Sequence, residues 1–355
     1  PDDRLLATGS TEGLSLWSLS EAEPAGRKVW DTGRNAVVDL AWSPDGRTIY
    51  AGSSRSEIVA VDISGERAVA RKIAPVELPG GPFESGAGTW IVGSRRLTGP
   101  NNLADLELSA DGALLVSADM AGNVILWNVK DGSRPRPLPT GRGGKPAVAF
   151  SPDGSALAVA NTGWIIDLHD LKAPDAKPIE LEGHTGRVTD LDFSPDGRWL
   201  ASAGAKPLMG GWEERFDRSV RLWDLRNLGT PPVVLEDHLH DVTAVAFAPD
   251  GASLVSGSSA GKIRLWDLTA PRAAPRFLRG HETPVWSAMF GADNRTVVSS
   301  SGSFFGSLEQ GSERGVKVWN LDAAGVPIVR VGFRFAGFVG HLLHGRRRDL
   351  VRPAP

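Results

Sequence analysis

The stretch His184-Thr185-Gly186-Arg187-Val188-Thr189-Asp190-Leu191-Asp192-Phe193-Ser194-Pro195-Asp196-Gly197-Arg198-Trp199-Leu200-Ala201-Ser202 decides how the chain is read. Val188, Leu191 and Phe193 are apolar on a short extended run, and Thr189, Asp190 and Asp192 between them give it a mostly polar face. Ser194-Pro195-Asp196-Gly197 is a turn with a mechanism. Pro presets φ, Asp bonds the backbone ahead of it, and Gly accepts the awkward dihedral. Trp199, Leu200 and Ala201 continue as a second strand. After an insertion, Val220, Leu222 and Trp223 make a third. Strands this short have little core of their own, so such units must stack on one another.

The unit repeats. Its turn recurs at Pro1-Asp2, Pro44-Asp45-Gly46, Pro152-Asp153-Gly154 and Pro249-Asp250-Gly251, with weaker copies at Ala110-Asp111-Gly112 and Ala292-Asp293-Asn294. Including the copy quoted first, that makes seven. The strand-ending aromatic recurs as Trp17, Trp127, Trp223, Trp266 and Trp319, with Val61 and His169 in the two remaining places. Neighbouring copies stand 42 to 44 residues apart, except where insertions push them to 53, 54 and 66.

Trp223-Asp224, Trp266-Asp267, Trp127-Asn128 and Trp319-Asn320, with Gly183-His184 and Gly280-His281 ahead of first strands, resemble the WD40-repeat family over essentially the whole chain. That resemblance implies an all-β fold: a seven-bladed β-propeller of four-stranded antiparallel blades, here one domain over residues 1–355. Its third strands are expected to end near residues 17, 61, 127, 169, 223, 266 and 319. Residue 1 aligns with Pro44, so the first unit starts without its first strand and the beginning looks like a cut within a repeat. Residues 326–355 are expected to hold a closing strand, around 336–343, and a basic tail with Arg346-Arg347-Arg348, read as solvated.

Composition narrows the function classes. A net charge of −3 and a pI near 6.2 leave no electrostatic footprint for nucleic acid or an anionic membrane. No run approaches the ~18 apolar residues of a membrane span, and no signal peptide is visible, so a cytoplasmic location is expected. There is no Cys, hence no disulfide and no thiolate chemistry. Ala, Gly, Arg and Pro usage fits a bacterial protein.

The family resemblance also implies a hydrogen-bonded set of His, Ser or Thr, Asp and Trp in each blade, which one unit carries whole: His184, Ser202, Asp217 and Trp223. The same residue types form catalytic triads, but their recurrence in family blades without chemistry favours a structural role. Elsewhere the set decays. Ala121, Ala260 and Glu313 stand at the Asp position, Gly33 and Gly141 at a His position, and His169 at a Trp position. Those units are expected to rely on packing between neighbours. His184, His238 and His281 occupy equivalent places on different blades, which spreads them around a ring and argues against one metal site. No metal or cofactor is expected.

Three insertions, about 75–100, 205–216 and 302–312, fall on links that the resemblance puts on one face, the top. Their content is that of interfaces: Phe83, Trp90, Arg95 and Arg96 in the first, Trp212, Arg215 and Phe216 in the second, Phe304 and Phe305 in the third. Packing of these loops on one another is the alternative, and Thr89-Trp90-Ile91-Val92-Gly93 reads as a short extra strand. Asn102, Arg187 and Asp241 are lesser contact candidates. The leading expectation is a non-catalytic module that binds a protein or peptide through the top loops. It would act as a monomeric ring or as part of a longer bacterial signalling chain, without nucleic-acid or membrane partners. The alternatives are a propeller enzyme with a metal or carboxylate site over the channel, and a purely structural ring in a tandem array. No phosphate loop, nucleophile elbow or zinc motif supports the enzyme.

Overall fold

A computed structural model describes residues 5–10, 13–18, 26–31, 36–53, 57–65, 67–73, 90–92, 95–97, 103–119, 122–133, 135–138, 146–161, 163–206, 217–270, 273–302, 315–322 and 327–332, with backbone alone for 90–92, 95–97 and 327–332. Every regular element among them is a strand. Blade 1 holds Leu5–Ser10, Gly13–Ser18 and Gly26–Trp30. Blade 2 holds Val37–Trp42, Thr48–Ser53, Ile58–Asp62 and Val69–Lys72. Blade 3 is Leu103–Leu108, Leu114–Asp119, Val124–Asn128 and Arg136–Leu138. Blade 4 is Val148–Phe150, Ala156–Ala160, Ile166–Asp170 and Ile179–Leu181. Blade 5 is Arg187–Phe193, Trp199–Ala205, Val220–Asp224 and Val233–Leu235. Blade 6 is Val242–Phe247, Ser253–Ser258, Ile263–Asp267 and Arg276–Leu278. Blade 7 is Val285–Phe290, Thr296–Ser301, Gly315–Asn320 and Pro327–Gly332.

Each blade is an antiparallel meander in chain order, with four strands in blades 2 to 7 and three among the described residues of blade 1. Pro327–Gly332 is therefore the outer strand of blade 7, paired with Gly315–Asn320. The closing strand expected around 336–343 and the basic tail lie outside the described residues. Trp90–Val92 and Arg95–Leu97 form a separate two-stranded hairpin, so the extra strand expected at Trp90 is present.

The turn chemistry read from the sequence is realised atom by atom. In blade 5 the Ser194 hydroxyl donates to Asp196 Oδ1 (2.6 Å), Arg198 N–H donates to the same oxygen (3.0 Å), and Trp199 N–H donates to Ser194 Oγ (2.8 Å). Gly197 supplies the left-handed corner at φ 68°, where an L side chain is strained. The residue after the strand-ending aromatic has its own task. Asp62, Asn128, Asp170, Asp224, Asp267 and Asn320 each accept the backbone N–H two residues ahead, which turns the chain from third to outer strand. That is why Asp and Asn interchange there.

The core lies between blades. The described apolar side chains form seven clusters, one on each seam, including Leu6 of blade 1 against Val298, Val316 and Val318 of blade 7. Side-chain packing thus closes the ring. Each strand-ending Trp wedges against the preceding blade: Trp223 joins the blade 4 cluster, Trp266 that of blade 5 and Trp319 that of blade 6. First strands of successive blades lie side by side, which sets them innermost.

Candidate functional site

The hydrogen-bonded set of blade 5 is complete and buried. Trp223 Nε1–H donates to Ser202 Oγ (2.9 Å), Ser202 Oγ lies 2.6 Å from His184 Nε2, and His184 Nδ1 lies 2.7 Å from Asp217 Oδ2. Asp217 also accepts from Thr185 N–H (2.9 Å) and from the Ser219 hydroxyl (2.6 Å). Burial alone would raise the Asp217 carboxyl, but His184 and Ser219 hold it well below the usual carboxylate range. Burial lowers the His184 pKa, partly offset by Asp217, so a neutral imidazole donates Nδ1–H to an ionised carboxylate. Ser202 has no exposed surface. A nucleophile must reach its substrate, so this geometry ties a link to a blade rather than cutting a bond.

The hydroxyl under the indole recurs as Thr8 for Trp17, Ser117 for Trp127, Ser256 for Trp266 and Ser299 for Trp319, each at 2.8 Å. Blades 2 and 4, which have Val61 and His169 in place of Trp, carry Ala51 and Val159 where the hydroxyl would be. The two changes travel together because a buried indole N–H or hydroxyl without its partner is costly.

Blade 6 departs from the expectation that decayed sets fall back on packing. With Ala260 at the Asp position, Arg264 donates to His238 Nδ1 (2.9 Å) and pairs with Asp237. An Arg only donates, so His238 carries its proton on Nε2, directed at Ser256 Oγ (2.7 Å), the reverse of His184. Burial, then Arg264, pushes the His238 pKa down to about 3. In blade 7, Lys317 takes the corresponding strand position and donates to Gly280 O. Burial, then Lys317, brings His281 down to about 3.

One face collects the insertions. Arg187 pairs with Ala205, Val285 with Ser301 and Leu103 with Asp119. The links entering first strands and the links from second to third strands therefore share a face, opposite the Pro-Asp-Gly turns. All three insertions start and end there. Phe83, Trp212, Arg215, Phe216, Phe304 and Phe305 lie outside the described residues, as do Asn102 and Glu313. In the hairpin, Trp90 pairs with Leu97, Ile91 with Arg96 and Val92 with Arg95 along the backbone. The side chains of Trp90, Arg95 and Arg96 lie outside the description. Arg187 and Asp241 brace the second insertion: Arg187 Nε–H donates to Lys206 O (3.1 Å) and Lys206 N–H to Asp241 Oδ1 (3.2 Å). Trp286 Nε1–H holds Gly302 O (3.0 Å) where the third begins.

Two residues on this face escaped the sequence reading. Leu239, in the link into blade 6, is 73% exposed, and Trp164, in the blade 4 turn, is 38% exposed. Trp164 sits at φ 62°. In the matching turns of blades 3 and 6 that place belongs to Gly122 and Gly261, whose N–H groups close the same bond back to Asp119 O and Ser258 O. A bulky residue in the left-handed region is a genuine outlier. Aligning the second-to-third turns would have exposed a Trp in a glycine's place. Among the described residues no group of three or more His, Cys, Asp or Glu could hold a metal, and no helix is long and apolar enough to cross a membrane.

The WD40 family model (WD domain, G-beta repeat) matches residues 28–58, 177–224, 229–267 and 274–320. The chain is 26% identical over 152 residues to a guanine nucleotide-binding protein subunit beta of Schizosaccharomyces pombe, covering 43% of this chain and 46% of that one. It is 25% identical over 261 residues to an uncharacterized WD repeat-containing protein of Synechocystis sp., covering 73% of this chain and 52% of that one. The chain thus spans about half the length of these curated relatives. Repeat matches, seven blades and the recurring indole–hydroxyl pairs agree, and the chain belongs to the WD40-repeat β-propeller family.

Proposed function

We propose that this ring is a non-catalytic scaffold or sensor module that binds a protein or peptide through the face bearing its three insertions, as part of a larger bacterial signalling protein in the cytoplasm. The observation that carries the reading is the convergence of the insertions with two exposed apolar side chains, Trp164 and Leu239, on one face. Family membership supports it, since WD-repeat proteins act generally as interaction scaffolds. One relative is by name a subunit, and so part of an assembly. Trp164 adds support of another kind. A strained backbone at an exposed aromatic is tolerated where the side chain is used. The partner-contact set is Phe83, Trp90, Arg95, Arg96, Trp212, Arg215, Phe216, Phe304 and Phe305, joined by Trp164 and Leu239.

The test is affinity capture with wild type and two variants whose melting curves match it. One carries Trp212→Ala, Phe304→Ala and Phe305→Ala; the other carries Trp164→Asn and Leu239→Ser. Relief of left-handed strain in Asn offsets the lost indole burial, so the second variant should stay within about 1 kcal/mol of wild type. Partners captured by wild type and lost from both variants support the reading. Partners retained by both place binding on another surface.

A further inference from the structure

One outer strand on the rim of the ring is unlike the rest. The outer strands of blades 1, 2, 3, 4, 6 and 7 each carry a charged residue or a proline in their sequence, among them Arg27, Arg71, Pro137, Glu180, Arg276 and Arg330. Charge and proline keep an open sheet edge from pairing with another chain. Val233–Leu235 of blade 5 carries neither. The parity of its ladder leaves a backbone pair at the edge. Gly204 N–H donates to Ser219 O (2.9 Å) and Leu225 N–H to Arg198 O (2.8 Å), so the odd-numbered residues of the third strand bond the second. Val220 and Leu222 therefore bond Leu235 and Val233, and Val234 turns its own N–H and C=O outward.

Both faces of this strand are apolar. Val233 and Val234 are each 40% exposed. Leu235 packs with Val242, Phe247 and Trp266 in the seam with blade 6, and Val233, two residues earlier, faces the same way. Val234 stands opposite Arg221, on the face that carries Trp223 into the seam with blade 4. Phe277 lines the blade 6 side of the first wedge. It is exposed, and the Arg264 guanidinium over its ring reaches back to Asp237. Ile179 lines the blade 4 side of the second. It is exposed and lies two residues before Leu181, which joins the seam of blades 4 and 5. The matching places between blades 3 and 4 hold Arg136 and Glu180. Two carboxylates border the blade 5 edge. Glu236 follows Leu235, and Glu182 precedes Gly183, where an added Cβ would stand 3.9 Å from Pro232. Both are exposed, and neither has an ion-pair partner among the described residues.

We propose that the outer edge of blade 5 is a strand-addition site for an extended segment of another protein, in which one Lys or Arg is followed by three apolar residues. This surface is separate from the insertion-bearing face. An antiparallel strand beside Val234 exchanges two backbone hydrogen bonds with it. Side chains of that strand alternate between the two wedges, and both wedges are apolar, so an unbroken apolar run fits and an alternating one does not. The residue opposite Glu236 comes two before the one opposite Val234 and points to the same side, toward Glu182 as well. A cation there meets both carboxylates. A second copy of this chain fits less well. Paired about Val234, it sets Pro232 and Pro231 opposite Glu236 and Asp237, and brings those carboxylates no cation.

The experiment titrates the full chain into a capped, fluorescently tagged hexapeptide, Ser-Lys-Val-Ile-Val-Ser, and into the same peptide with Glu for Lys. The first should saturate, and the second should bind roughly fivefold more weakly. Val234→Pro removes the outward N–H and repeats Pro137, which holds that place in blade 3 opposite Ile125. Val233→Arg repeats Arg136 and Arg276 at the matching place in blades 3 and 6. Each variant should weaken binding on the order of tenfold or more. Hydrogen exchange of the wild type with peptide bound reads the same site without a substitution, and protection should be gained over 233–237. Failure of the first peptide to saturate overturns the proposal, as do equal binding of the two peptides, protection gained only elsewhere, and binding that survives Val234→Pro and Val233→Arg in chains that melt as wild type does. A wild-type dimer that the peptide cannot dissociate and Val234→Pro cannot form gives the edge to a second copy and overturns it too.

Discussion

Arg264 sets its guanidinium 2.9 Å from His238 Nδ1, the ring atom that in blade 5 meets a carboxylate, 2.7 Å from His184 Nδ1. One position thus sees a cation in one blade and an anion in the other, and the neutral imidazoles answer with opposite tautomers. Nitrogen-15 NMR of labelled histidine should find the proton of His184 on Nδ1 and that of His238 on Nε2. The same tautomer at both would contradict the assignment.

The hydroxyl of Ser202 serves two buried partners, Trp223 Nε1 and His184 Nε2. Ser202→Ala strands both and should lower stability by about 2–4 kcal/mol in chemical denaturation. The converse change, Ala51→Ser, places a buried hydroxyl in blade 2, where Val61 stands in the indole's place, and should cost about 1–3 kcal/mol. A gain in stability from Ala51→Ser would break the coupling between hydroxyl and indole inferred from that blade.

Acid should loosen the ring through its histidines. His238 and His281 are held down to about 3 by burial and by Arg264 and Lys317, against about 6.5 when unfolded. The unfolded chain binds the extra protons, so the stability they confer is present above about 6.5 and is lost as pH falls toward 3. Each contributes a slope of roughly 1.4 kcal/mol per pH unit in that range. Denaturation midpoints of His281→Gln between pH 5 and 6.5 should show a shallower slope than wild type. An unchanged slope would exclude His281 as a contributor.

Blade 1 has three strands among the described residues, with Leu5–Ser10 on its inner side, while blade 7 is already complete with Pro327–Gly332. We infer that residues around 336–343 supply the missing inner strand. Deleting 333–355 leaves all the described strands in place and should lower the melting temperature sharply. An unchanged melt would show that the seam of Leu6 with Val298, Val316 and Val318 suffices.

Much of this architecture was legible because the repeat states it seven times. Pro195-Asp196-Gly197 and its copies fix the turns, and Trp223 and its copies fix the third strands. What was not legible concerns residues that meet in space without being neighbours in sequence. Asp190 and Asp192 alternate with apolar residues and read only as a mostly polar face, whereas the next first strand lies beside them and donates backbone N–H groups to them. Arg264 belongs to no motif of the repeat, yet it meets His238 Nδ1, the ring atom that the Asp replaced by Ala260 would have met. Trp164 lies outside the Pro-Asp turns that state the repeat, and only the glycines at the matching place in blades 3 and 6, Gly122 and Gly261, mark it as unusual.

The central claim is that the insertion-bearing face is the binding face. Hydrogen-exchange footprinting of the ring, alone and with a captured partner bound, tests it most directly. Protection should concentrate at 161–166, 207–216, 237–241 and 303–314. Protection confined to the Pro-Asp-Gly turns at 44–46, 152–154, 195–197 and 249–251, or to the outer strands, would contradict it.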